Sequence, residues 1–70
     1  MQDKVKLPDH IIAMLTHLPE SGLGYQNVTL TLTNGTILTK RKIVNSEFLL
    51  LHENERYLTN DFEKVELDEN

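Results

Sequence analysis

Within residues 26–33 the chain switches to a period of two, and from residue 28 to residue 33 it alternates strictly between apolar and hydroxylated side chains. Val28, Leu30 and Leu32 alternate with Thr29, Thr31 and Thr33. A strand puts every second side chain on the same face, so this pattern buries three aliphatics and leaves three threonines outside. A helix could not gather the same residues on one side. Asn34-Gly35 follows at once. Both residues tolerate positive φ, which predicts a two-residue hairpin turn and an antiparallel partner strand. That partner runs from Thr36 to about Val44. Its apolar pairs, Ile37-Leu38 and Ile43-Val44, flank Lys40-Arg41-Lys42. Strict alternation cannot place all four apolar residues on one face. A long bent strand with a bulge or change of face near its middle is expected.

The period before this segment is different. Leu7, Ile11, Met14, Leu15 and Leu18 recur at spacings of three and four, which predicts a helix over about 7–18 with one apolar stripe. Pro8 suits the first helical position, because a missing N–H costs nothing there. Asp9 places a negative charge at the positive end of the helix dipole. Pro19, Gly22 and Gly24 stop the helix and open a linker.

After Asn45-Ser46, a turn signal, three short strands are expected. Phe48 to Leu51 is continuously apolar and reads as a strand covered on both faces. Arg56–Thr59 and Val65–Leu67 are the fourth and fifth strands, separated by a tight turn beginning at Asn60-Asp61. Residues 68–70 are expected to fray. Leu30 and Leu50 should point inward, and Phe48 should belong to the core. Five short strands joined by hairpin-length connections become antiparallel neighbours. So few residues do not build two sheets with a core between them. They can close into a small barrel of about residues 26–67, with the helix over one end. The expected fold is therefore mainly β: one N-terminal helix, then a five-stranded, strongly bent antiparallel barrel, in a single domain spanning 1–70.

A chain of 70 residues has a marginal core. With no cysteine it has neither disulfides nor thiolate metal ligands, and burial between subunits is the expected supplement, which favours a homo-oligomer. Met1 to Leu7 are mixed charged and polar, without the apolar run of a signal peptide. No segment is long and apolar enough to span a bilayer. The expectation is a soluble cytoplasmic protein. Net charge is −4, and residues 53–70 carry seven acids against Arg56 and Lys64. Strong duplex binders show a broad basic face. Here the only basic cluster is Lys40-Arg41-Lys42.

A short N-terminal helix, VTLTLTNGTIL over Val28–Leu38, a long bent second strand and the aliphatic segment Ser46–Leu51 together resemble the Sm-like fold of the Sm and Hfq families. Ser46-Glu47-Phe48-Leu49-Leu50-Leu51 resembles the turn and third strand of Hfq-type members, and Tyr57 falls near the start of the family's second motif. The resemblance covers roughly residues 8–67. It implies an SH3-like barrel and a tendency to form rings, in which Arg56, Tyr57, Leu58 and Thr59 of one subunit would pair with Val65, Glu66 and Leu67 of the next. It does not carry over the family's uridine site. Leu50 stands where Sm proteins have a base-contacting asparagine, the Arg-Gly of their second motif is absent, and Leu58-Thr59 replaces the Lys-His of Hfq. Lys40 stands where the family has a glycine at the bend.

The side chains available for chemistry are few. Lys40, Arg41 and Lys42, with Asn45 and Tyr57, are the candidates for contact with an anion or single-stranded RNA. His10 and His17 lie about 10.5 Å apart along a helix, too far to share a metal ion. No serine–histidine–acid order, phosphate loop or zinc motif occurs. No catalytic residue, metal, cofactor or small-molecule substrate is therefore expected. The expected function is a non-enzymatic, oligomeric Sm-like binding module with weak single-stranded RNA binding. The alternative is an SH3-like structural or protein-interaction barrel with no nucleic-acid role.

Overall fold

The computed structural model of the chain describes residues 3–20 and 22–68. Its elements are β1 (Lys4–Lys6), α1 (Asp9–Thr16), β2 (Tyr25–Leu32), β3 (Ile37–Val44), β4 (Phe48–Leu50), a single 3₁₀ turn (Thr59–Asp61) and β5 (Phe62–Leu67).

The helix is shorter than its apolar pattern. Pro8 is the N-cap rather than the first helical residue, with extended backbone. Its carbonyl accepts hydrogen bonds from the N–H groups of Ile11 and Ile12, each at 3.0 Å. At the other end His17 N–H and Leu18 N–H bond to Met14 and Leu15 carbonyls, which tightens the last turn before Pro19. Leu7 and Leu18 therefore lie outside the helix and do not fix its rotation. Ile11 and Leu15 are buried and Ile12 half-buried. Met14 projects about a quarter-turn away from that side and is 47% exposed.

The hairpin between β2 and β3 has three loop residues, not two. Gly35 N–H bonds to Leu32 O, Leu32 N–H bonds to Thr36 O, and the Asn34 side-chain oxygen accepts from Thr36 N–H at 2.9 Å. Gly35 takes φ +93°, whereas Asn34 is not among the positive-φ residues. The two-residue turn with both φ values positive occurs instead at Asn45 (56°) and Ser46 (59°), between β3 and β4.

The expected bulge is present. Val28 pairs with Arg41 but Leu30 pairs with Leu38, so β3 carries one more residue than β2 over this step. Lys40 sits within it at φ 56°. This is where the strand bends.

The strands form one antiparallel sheet in the order β1-β4-β3-β2-β5. The sheet is open, with β1 and β5 at its edges, so the closed barrel expected above is not formed. Two strands account for the difference. Arg56–Thr59 is not a strand. It runs irregularly into the 3₁₀ turn, which Asp61 ties through its carboxylate to Leu58 N–H at 2.8 Å. The fifth strand is instead β1, which pairs Val5 with Leu49. β5 begins at Phe62, earlier than expected, and pairs along β2. Asp68 is not frayed: its N–H bonds to Asn27 O at 2.8 Å, and its carboxylate accepts from the Thr29 hydroxyl. The rest of the expected tail, residues 69 and 70, lies outside the described residues.

One core unites the sheet and the helix. Val28, Leu30, Leu32, Ile43, Leu49, Phe62 and Val65 meet Val5, Leu7, Ile11 and Leu15. The single-face burial of β4 corrects two expectations. Leu49 is fully buried while Leu50 is 36% exposed. Phe48 is half-buried on the outer face rather than in the core. The antiparallel register decides this, because Leu49 lies opposite Ile43 and Val5 on the inner face and its neighbours must then point out. Gln26 joins the layers. Its buried amide nitrogen donates to the carbonyls of Leu15 (3.1 Å), Leu18 (3.2 Å) and Pro19 (3.3 Å), which satisfies the C-terminal end of the helix.

Leu30→Ala and Leu49→Ala should each lower the unfolding free energy by about 2–5 kcal/mol, the usual cost of a cavity in a packed core. Leu50→Ala should cost below about 1 kcal/mol, as surface substitutions commonly do. Urea titration followed by circular dichroism separates them, and equal losses at Leu49 and Leu50 would refute the register. Lys40→Gly relieves a left-handed side-chain clash worth roughly 1–2 kcal/mol and adds freedom to the unfolded chain. It should change stability by less than about 1 kcal/mol in the same titration, whereas Lys40→Val should clearly destabilise.

Candidate functional site

The basic cluster does not act as a unit. Arg41 turns into the protein and is 3% exposed. Its Nη2 donates to Glu55 Oε1 at 2.7 Å and to the Leu50 carbonyl at 2.9 Å, and its Nη1 donates to Glu55 Oε2 at 3.1 Å. This is a two-pronged, largely desolvated ion pair. Arg41 Nε is buried and has no hydrogen-bond partner among the described residues. Glu55 also accepts from His52 N–H at 2.8 Å. The pair thereby folds the segment after β4 back against β3. Desolvation pushes the Glu55 carboxyl upward, but the Arg41 and His52 hydrogen bonds and the neighbouring charge outweigh it and hold the group below its ordinary value.

Lys40 and Lys42 are exposed. Lys42 Nζ lies 4.6 Å from the Tyr25 ring centroid. Asn45 forms the β3–β4 turn and donates its N–H to Gly24 O. Tyr57 is half-buried and meets Phe62 edge to face at 5.8 Å, so it works from the core side. The residues expected at a subunit contact are also dispersed. Arg56, Leu58 and Thr59 are exposed in irregular chain or the 3₁₀ turn, with Leu58 74% exposed. Val65 is buried against Leu30, while Glu66 is exposed and Leu67 half-buried in β5. His10 Nε2 is 2.8 Å from the Glu63 carbonyl and ties α1 to β5. His17 is exposed.

What the fold does assemble is the outer face of the sheet. Pairing sets Lys6, Phe48, Val44 and Tyr25 in one row across β1, β4, β3 and β2. Below them Lys4 pairs with Leu50 and Lys42 with Asn27. Lys4 Nζ lies 4.7 Å from the Phe48 ring centroid. Two aromatic rings thus each carry an ammonium group over them. The Tyr25 ring lies close over Gly22, where a side chain would collide with it. On the β5 side the same face is more acidic, with Glu66 and Asp68 beside Lys64. The outward parity of Tyr25 follows from the alternation in β2. The position of Lys4 does not, because a three-residue strand carries no readable period.

A shallow open depression is lined by Asp3, Leu51, His52, Glu53, Asn54, Glu55 and Arg56. Within it the Glu55 carboxylate is already taken by Arg41. No group of three or more histidine, aspartate or glutamate side chains suited to a metal ion occurs among the described residues. No helix among them is long and apolar enough to cross a membrane.

Comparison with family models, with curated proteins and with solved structures gave no match.

Glu55→Ala should cost about 3 kcal/mol near neutral pH, since it leaves the Arg41 charge buried and unpaired. Replacing both, as Arg41→Met with Glu55→Leu, should recover most of that loss. The Glu55 contribution is complete above the unfolded carboxyl pKa of about 4.5. It disappears as pH falls below that value and through the lower folded pKa. The stability gap between the parent and Glu55→Gln should therefore narrow on acidification. A gap that widened below pH 4.5 would contradict the assigned direction.

Proposed function

We propose that the chain is a non-enzymatic binding module of Sm-like, SH3-like type that assembles with copies of itself through the two edges of its sheet. The observation carrying this reading is that the edges are open and oppositely charged. β1 presents Lys4 and Lys6, while β5 presents Glu63 and Glu66 around Lys64.

The ladder geometry supports the edge contact. Leu51 N–H bonds to Asp3 O, and Leu7 N–H bonds to Glu47 O. Alternation along an antiparallel pair then turns the backbone groups of Lys4 and Lys6 away from β4. On the other side Asp68 N–H bonds to Asn27 O, so the backbone groups of Val65 and Leu67 face away from β2. Among the described residues the backbone groups of Lys4, Lys6, Val65 and Leu67 pair with no further strand, and a basic and an acidic edge of this kind are complementary templates for pairing. Such a contact is head-to-tail, and it closes a ring where the rotation permits. It differs from the contact expected from the sequence, since Arg56–Thr59 offers no strand and β1 takes its place.

The Sm-like reading is supported by the bend. Lys40, standing where that family has a glycine, takes the positive φ of 56° that a glycine would take most easily. The non-enzymatic reading is supported by the polar groups. Catalysis by paired acids needs neighbouring environments that separate two pKa values, and the shifted carboxyl is instead neutralised by a buried arginine.

Light scattering coupled to size-exclusion chromatography should give a mass that is a multiple of 8.1 kDa. High salt should reduce it, because exposed charges are screened, and Lys4→Glu with Lys6→Glu should leave monomer. A monomer at micromolar concentration and low salt would refute the assembly.

A further inference from the structure

We propose that the outer face of the sheet is a stacking platform for single-stranded nucleic acid, with Tyr25 and Phe48 receiving bases and Lys4 and Lys42 receiving phosphates.

The argument begins with geometry. Tyr25 and Phe48 both lie opposite Val44, one on each side. Their attachment points are therefore two strand spacings apart, roughly 10 Å. That separation suits bases splayed from an unstacked strand, and a sheet presenting aromatic side chains in this way can hold two or three of them. A duplex keeps its bases stacked inside and offers them to neither ring.

Preorganisation comes next. The Tyr25 ring rests against Gly22, where any side chain would displace it. A lysine ammonium group lies over each ring, at 4.6 Å for Lys42 on Tyr25 and 4.7 Å for Lys4 on Phe48. An arriving base takes the ring face. The displaced ammonium stays beside it, at the distance where the sugar–phosphate backbone of the same nucleotide must pass. Stacking and charge neutralisation are thereby coupled at each of two positions.

Charge also sets the direction of the strand. The Lys4, Lys6 and Lys42 side is basic, with Lys6 only loosely opposed by Glu47 at 4.0 Å. Glu66 and Asp68 lie across the same face on β5. Phosphates are attracted over β1, β4 and β3 and repelled from β5, so the strand passes over the first three and ends near Tyr25. The site stands apart from Arg41, which is consumed by Glu55, and from Tyr57, which packs on Phe62. It does not depend on edge assembly, since none of the four residues needs a neighbouring copy to complete the face.

The test is fluorescence anisotropy with short labelled oligo-U RNA, oligo-T DNA and a duplex of matched length, at several salt concentrations. Both single strands are expected to bind more tightly than the duplex; binding of the RNA alone also supports the platform and assigns a role to the ribose. Tyr25→Leu and Phe48→Leu, which keep apolar bulk, should each weaken binding by about tenfold. Lys4→Gln with Lys42→Gln should reduce the logarithmic salt slope by about 1.4, at roughly 0.7 per phosphate contact on a single strand. Lys64→Gln, on the β5 side, should leave affinity unchanged. Circular dichroism of every variant checks that the fold is retained. Light scattering on the same samples keeps the two proposals separate, because a monomer that binds overturns the assembly alone. Parent-like binding by both leucine variants, equal affinity for the duplex, or no binding to either single strand at low salt overturns the platform.

Discussion

The extra residue that β3 inserts opposite Thr29 determines which side of the protein half the sheet presents. Without it, Leu38 and Arg41, three positions apart, would point to opposite faces. With it, Leu38 packs on the core and Arg41 and Ile43 also point inward. Lys42 and Val44 are consequently outward. The cost is a lysine in left-handed backbone. That cost is offset by the burial of Ile43 and by the ion pair that Arg41 can make only from the inner face.

Two buried polar side chains do the work that a small apolar core leaves undone. Gln26 supplies donors to the helix end, where backbone carbonyls have no partners of their own. Arg41 supplies donors to Leu50 O and Glu55, and so organises a segment with no ladder to hold it. Each bonds groups where a regular element gives way to irregular chain, the end of α1 for Gln26 and the end of β4 with the segment after it for Arg41. Leaving those carbonyls unpaired in a dry interior would cost more than burying the side chains that satisfy them.

The same alternation that builds the core leaves a distinct outer surface. The inner face is apolar except for Gln26 and Arg41. The outer face carries rings and lysines on one side and carboxylates on the other. The edges repeat this polarity, basic at β1 and acidic at β5. A protein with net charge −4 thus retains a local basic region. The proposed assembly and the proposed platform both draw on that separation of charge, through backbone at the edges and side chains on the face.

What the sequence by itself determined is local and periodic. Val28, Leu30 and Leu32 had to face inward, because threonines separate them. Ile11 and Leu15 had to share a helix side, and Lys40 lies at a break in the strand pattern. These follow from the geometry of a single element. The tertiary structure decided everything that depends on which element lies beside which. Lys-Val-Lys is too short to signal a strand until β4 lies beside it. Phe48 to Leu51 has no alternation, so only pairing with Ile43 and Val5 selects Leu49 over Leu50. Arg41 reads as one of three basic residues until Glu55, fourteen positions on, folds back to meet it. Arg56–Thr59 looks extended but pairs with no strand among the described residues. Contacts between distant residues set these outcomes, and backbone hydrogen bonds, which every residue but proline can donate, leave no mark in the side-chain pattern.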